Sequence, residues 1–111
     1  YGSAYSFSRG GMHNFSMSAA LQLSELGIRV NTIMPGWVHT PFTDYLYTDA
    51  EQSKYRTDRV PLRRWGKPDD IAGGILFLAS KDASYMTGAE LLMDGGVSAG
   101  SVRPANPKAF E

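Results

Sequence analysis

Ile28-Arg29-Val30-Asn31-Thr32-Ile33-Met34-Pro35-Gly36 is the stretch that decides the fold. Its β-branched residues and alternating apolar set predict a strand, and Pro35-Gly36 stops it abruptly, placing a loop at its C-terminal end. Upstream, Tyr5, Met12, Phe15, Ala19, Leu23 and Leu26 recur at steps of three, four or seven. That pattern marks one side of a helix running from Ala4 to Leu26. Gly27 ends it, because glycine takes the left-handed C′ conformation at little steric cost. Gly10 and Gly11 each cost a helix about 1 kcal/mol, so their small size predicts close approach of another helix or a ligand.

Downstream, Thr48 and Glu51 have the spacing of a capping box, from which a short polar helix is expected towards Arg59. Pro68 suits a first helical turn and Asp69 and Asp70 favour the macrodipole; the helix they open carries Ile71, Ile75, Leu76 and Leu78 towards Ala79. After turn residues around Thr87-Gly88, Glu90-Leu91-Leu92-Met93 reads as a buried strand closed by Asp94-Gly95-Gly96. The order helix, strand, two helices, strand implies parallel strands joined by a crossover, as in an α/β layered fold. Two strands are too few, since a parallel sheet is covered on both faces and continued at its edges. Residues 1–97 therefore read as one portion of a larger domain, whose other strands precede Tyr1. Ser98 to Glu111, with Pro104 and Pro107, is expected to be a loosely ordered tail.

The bulk composition narrows the partners. Eleven Lys+Arg balance eleven Asp+Glu among 111 residues, and no basic stripe tracks a phosphate backbone, so no nucleic-acid partner is expected. The sequence has no cysteine, which rules out thiolate metal sites and a disulfide framework within it and fits a reducing compartment such as the cytoplasm. No metal site is expected. Apolar runs fall far short of a membrane span, and Tyr1-Gly2-Ser3-Ala4 does not read as a signal sequence or a natural N-terminus. The expectation is a soluble chain with no membrane partner.

Tyr5 and Arg9 lie four apart, so their side chains leave the same helix face about one turn apart. A phenol with its reference pKa of about 10 is a poor base at neutral pH. A fixed cation about 4 Å away favours the phenolate by roughly 4 kcal/mol at an effective dielectric of about 20, before desolvation and screening are deducted. An acid/base pair fits this spacing, and so does a partly buried tyrosine beside an exposed arginine.

The surrounding text resembles a known family. Ala4-Tyr5-Ser6-Phe7-Ser8-Arg9-Gly10-Gly11-Met12 resembles the active-site helix of short-chain dehydrogenases/reductases, whose pattern is Tyr-x-x-x-Lys. Arg29 to Thr40 resembles the family's RVNxIxPGxVxT strand and cofactor loop. Arg64-Trp65-Gly66-Lys67-Pro68-Asp69-Asp70-Ile71-Ala72 resembles its RxGxPxEIA helix start. Phe77-Leu78-Ala79-Ser80, Ala83-Ser84-Tyr85-Met86-Thr87-Gly88 and Asp94-Gly95-Gly96 resemble FLAS, ASYxTG and DGG. The ordered blocks run from Ala4 to Gly96.

This resemblance implies the C-terminal portion of a Rossmann-type, doubly wound parallel sheet with flanking helices, and hydride transfer between NAD or NADP and a small-molecule carbonyl or alcohol. It implies Tyr5 as the acid/base and Arg9 as the partner that hydrogen-bonds the nicotinamide ribose and favours the phenolate. Pro35, Gly36 and Val38 would shape the loop under the nicotinamide, Val38 meeting the carboxamide through its backbone. Thr40 would lie near the carboxamide or pyrophosphate. Pro41 to Val60, with Phe42, Tyr45, Leu46, Tyr47 and Tyr55, matches the variable substrate lid. The family also forms dimers or tetramers through the tyrosine-bearing helix and the final helix and strand, which implies a homo-oligomer.

Two departures stand out. Arg9 replaces lysine, and a guanidinium is larger, planar and does not relay a proton. The family's catalytic serine, active-site asparagine and glycine-rich phosphate loop lie upstream of the tyrosine, outside these 111 residues, as does the residue that selects NAD or NADP. An inactive fragment or pseudoenzyme serving as a subunit-association module is therefore the alternative. Of the histidines, His13 reads as a surface or interface residue, and His39 as a side chain that could face substrate. Trp37 and Trp65 read as structural.

Overall fold

In the computed structural model, which describes residues 2–100, the local signals at the first helix lead to the expected element. Helix α1 (Gly2–Leu23) passes into a 3₁₀ turn, Ser24–Leu26, and ends at Gly27 with φ 72°. There the Gly27 N–H donates to the Ser24 carbonyl at 2.9 Å and the Ile28 N–H to that of Leu23 at 3.2 Å, satisfying end carbonyls that the helix leaves free. The chain divides into two compact units. Among the described residues one comprises 2–34 and 74–91, the other 35–73 and 92–100.

In the first unit, the stretch before strand β1 (Thr32–Pro35) has one long-range backbone bond, from the Gly88 N–H to the Val30 carbonyl at 2.7 Å, and is otherwise held by side chains. Arg29 donates to the carbonyls of Leu78, Ser80 and Met86. Those of Leu78 and Ser80 belong to the C-terminal end of helix α4 (Pro68–Ala79) and the residue after it, where orphan carbonyls need donors. Asn31 spans the turn ahead of strand β2 (Glu90–Met93), donating to the Met86 carbonyl and accepting from the Ala89 N–H. These bonds explain why the strand begins at Thr32 and not at Ile28 as its composition suggests. Ala20 and Ala83 are the buried apolar residues here.

The apolar stripe of α1 does not form a core among the described residues. Met12 and Phe15 remain more than half exposed, and Ala20 alone of this helix is buried. Likewise a Cβ at Gly10 or Gly11 would meet no described atom within 4 Å, so the close approach expected there is absent among the described residues. Nor is β2 buried as expected: Glu90 and Leu92 are exposed while Leu91 and Met93 are half-covered. A two-stranded sheet leaves its faces and edges short of partners, and the alternation of the strand shows it.

The second unit holds two further helices, α2 (Asp44–Tyr47) and α3 (Ala50–Thr57). The cap of α3 is Asp49, whose carboxylate accepts the Gln52 N–H at 2.9 Å, in place of the Thr48–Glu51 box. Thr48 instead ends α2 and donates to the Asp44 carbonyl. Val60 and Trp65 form the buried apolar centre.

β1 and β2 are neighbours in one sheet. The Thr32 N–H bonds the Ala89 carbonyl and the Gly36 N–H bonds that of Met93, so both strands advance in the same direction, the parallel α/β arrangement. Beyond Gly96, Val97–Ala99 form a 3₁₀ turn. The remainder of the expected tail, 101–111, lies outside the described residues.

Candidate active site

Tyr5 stands on the first turns of α1 with more than half of its surface exposed. One turn on, the Arg9 guanidinium carbon lies 5.1 Å from the Tyr5 ring centroid. The cation covers the face of the ring, an electrostatic attraction to its π-system. The spacing placed both side chains on one face, and the structure brings them together there. Farther along α1, His13 pairs through Nδ1 with Glu90 Oε1 on β2.

The loop Gly36–Thr40 follows the carboxyl end of β1, the end where open α/β sheets bind ligands. A Cβ on Gly36 would sit 2.6 Å from the Cα of Asp94, so backbone passes backbone there and only glycine fits. Val38 forms a parallel bridge with Gly66. The bonds come from its neighbours: His39 N–H to the Gly66 carbonyl at 3.0 Å and Gly66 N–H to the Trp37 carbonyl at 2.8 Å. Val38's own N–H and C=O consequently face the opposite edge. On that edge Thr43 Oγ1 donates to the Val38 carbonyl at 2.7 Å and accepts the Thr40 N–H at 2.9 Å. Thr40 Oγ1 lies 3.2 Å from the same hydroxyl. The Val38 N–H has no partner among the described residues. A cavity of about 290 Å³ adjoins the loop, lined among others by Gly36, Val38, Val60, Leu62, Met93 and Asp94.

Trp37 and His39, alternating with Val38, are engaged by α2, α3 and Trp65. His39 Nε2 lies 2.8 Å from Asp44 Oδ1, and its ring stacks on Tyr47 at 3.8 Å and 13°. Trp65 receives Tyr47 edge-on at 5.5 Å and Trp37 at 5.9 Å. Arg56 of α3 covers the other ring, its guanidinium carbon 4.6 Å from the Trp37 centroid. His39 is thus committed to Asp44 and Tyr47, and Trp65, 6% exposed, is structural as expected. Phe42 and Tyr45 project into the open at 76% and 68%.

Two carboxylates brace this unit. Asp70 takes both Arg64 guanidinium nitrogens at 2.7 and 2.8 Å and accepts the Lys67 N–H at 2.7 Å. The Arg64 bond and then the Lys67 N–H hold its pKa down at about 2. At Asp94 partial burial opposes ionisation, yet the bonds from Ser98 and Gly96 outweigh it and keep the carboxyl below its usual range.

Sequence reasoning did not single out Thr43 or the Arg64–Asp70 pair. Thr40-x-x-Thr43 has the spacing of a local hydroxyl turn, and Arg64 and Asp70 sit at fixed places in a quoted block, but neither pattern says which atoms meet.

A family model described as enoyl-(acyl carrier protein) reductase matches residues 1–98. L-rhamnose 1-dehydrogenase (NAD(P)(+)) of Sphingomonas sp. is 42% identical over 97 residues, 87% of this chain and 38% of that protein. Acetoacetyl-CoA reductase of Allochromatium vinosum is 42% identical over 93 residues, 84% of this chain and 37% of that one. Among solved structures, 4-hydroxyisoleucine dehydrogenase complexed with NADH superposes with a TM-score of 0.85 at 31% identity, covering 88% of this chain and 40% of that one. The chain spans about two fifths of the length of the relatives it matches.

Proposed function

The chain belongs to the short-chain dehydrogenase/reductase family, and from that premise we propose that the whole protein interconverts a small-molecule alcohol and carbonyl with NAD or NADP. The observation that carries this reading is the outward edge of Val38, two residues beyond the closely packed Gly36 at the carboxyl end of β1. A carboxamide presents one donor group and one acceptor; the Val38 N–H and the remaining lone pair of its carbonyl match them. Pro35, Gly36, Val38 and Thr40 would hold that part of the cofactor, which when bound supplies or accepts the hydride.

Tyr5 is the acid/base in this reading. Its hydroxyl gives a proton to the carbonyl oxygen during reduction and takes one from the alcohol during oxidation. Arg9, its guanidinium carbon 5.1 Å from the ring centroid, would supply the fixed positive charge beside the phenol and would hydrogen-bond the nicotinamide ribose. The exposed Phe42 and Tyr45 offer apolar surface to a ring-bearing or apolar substrate. Residues 1–97 would be the C-terminal half of a single Rossmann-type domain, a reading supported by the share of each relative that the chain matches. We place the protein in the cytoplasm, where both nicotinamide nucleotides are available; no helix among the described residues is long and apolar enough to cross a membrane.

A test is to assay the whole protein with NAD, NADP and their reduced forms against a panel of apolar and ring-bearing alcohols and ketones together with sugars, hydroxy acids and oxo acids, following nicotinamide absorbance. Turnover dependent on one of the nucleotides is expected; none with any pair would sink the reading.

A second reading has its own support. Phe7, Phe15 and Leu21 of α1 are 83%, 65% and 78% exposed, an apolar surface suited to association with a second copy, as a dimer or tetramer. With Arg9 in the lysine position, a chain that associates and does not catalyse would show that surface covered and no turnover. Sedimentation together with the assay separates the two.

A further inference from the structure

Thr43 occupies the N-cap position of α2, yet its side chain caps nothing there. An N-cap threonine ordinarily accepts an N–H from the turn ahead. This one points backward instead, taking the Thr40 N–H and donating to the Val38 carbonyl. Resting on the cofactor reading above, we infer that Thr43 is a positioning residue for the nicotinamide end of the cofactor. Its hydroxyl fixes the Val38 peptide so that the free N–H and the second lone pair of the carbonyl are presented together.

The argument is one of atoms. Two backbone bonds with Gly66 hold the inner edge of Val38, and nothing but Thr43 holds the outer edge among the described residues. A hydroxyl can accept the Thr40 N–H and donate to one carbonyl at the same time, which ties residues 38, 40 and 43 into a single knot. A methyl in its place leaves the Thr40 N–H and the Val38 carbonyl without this partner, and the loop rotates at the point where a ligand would read it.

The test uses the whole protein and isothermal calorimetry with two probes: the reduced nicotinamide dinucleotide that the wild type binds, and the matching ADP-ribose, which lacks the nicotinamide. Thr43→Val, nearly isosteric, should weaken the dinucleotide by about ten- to a hundredfold while ADP-ribose stays within about twofold; each tenfold loss is one broken interaction of the ordinary size. Thr43→Ser, which restores the hydroxyl, should recover the dinucleotide to within about threefold. Equal weakening of both probes would assign Thr43 a general structural role and overturn the inference, as would unchanged dinucleotide affinity in the Val variant. A wild type that binds neither probe overturns the cofactor reading and the inference with it. A wild type that binds both, with a Val variant that binds both as tightly, leaves the reading standing and removes the inference alone.

Discussion

Helix α1 and the loop Gly36–Thr40 carry the two halves of the proposed chemistry and are made in different ways. Along α1 the side-chain bonds stay local except for the pairing of His13 with Glu90: Ser8 reaches the carbonyl of Tyr5, and Ser16 that of Met12. Arg9 meets Tyr5 across one turn. In the loop the partners come from afar in sequence: Gly66 for Val38, Asp94 against Gly36, Trp65 against Trp37. A helix places its side chains by its own period, whereas an irregular loop has no internal ladder and takes its shape from what packs on it. Substitutions on α1 should therefore alter chemistry with little change in stability, and substitutions in the loop should alter both.

The largest effect expected is Tyr5→Phe, which keeps the ring and its contact with Arg9 and deletes only the hydroxyl. In the whole protein kcat should fall by about 10²–10⁴-fold, the usual worth of a general acid/base, with Tm unchanged. Unaltered kcat would remove Tyr5 from the mechanism.

Next comes one substitution made in both regions. Gly36→Ala puts a Cβ against the Asp94 backbone and should cost about 1–3 kcal/mol by denaturant titration. Gly10→Ala meets open space on α1 and should stabilise by up to about 1 kcal/mol. Equal signs at the two positions would break the comparison.

Arg9→Lys should preserve or raise turnover, by no more than about tenfold, since an ammonium keeps the charge and can relay a proton. A loss of turnover would mean that the cation over the ring face is itself the functional arrangement.

The smallest effect concerns acid. The Asp70 pKa, about 2 in the fold, lies below the ordinary 3.8, so its pairing with Arg64 is fully stabilising above that ordinary value. That stability is lost as pH falls through about 2. Thermal melts between those limits should drop less steeply for Asp70→Asn than for wild type. Parallel curves would mean that the pair contributes nothing to acid stability.

Local signals were enough for α1, its stop at Gly27, α4 from Pro68 to Ala79 and β2 from Glu90 to Met93, because caps, prolines and short periodic runs act within a few residues. They failed by one residue at α3, where Asp49 outcompetes Thr48, a carboxylate being the stronger acceptor at a helix start. They also overstated β1, since ahead of Thr32 a single long-range backbone bond, Gly88 N–H to the Val30 carbonyl, remains, and the side chains of Arg29 and Asn31 make the other contacts. For the site, resemblance pointed to Tyr5, Arg9 and the loop, but no pattern revealed that Thr43 holds the far edge of Val38 or that His39 is taken up by Asp44 and Tyr47.

The sequence by itself determined the family, the order of helices and strands, and the one-turn relation of Tyr5 to Arg9, since each depends on spacing along the chain. The fold alone decided which backbone edge of Val38 is left facing outward, why Gly36 admits no side chain, and how Thr43 turns back on the loop. The first two depend on residues far apart in sequence being brought within bonding distance, and the third on a hydroxyl reaching back five residues across a turn; hydrogen bonds and steric contacts act only at such range.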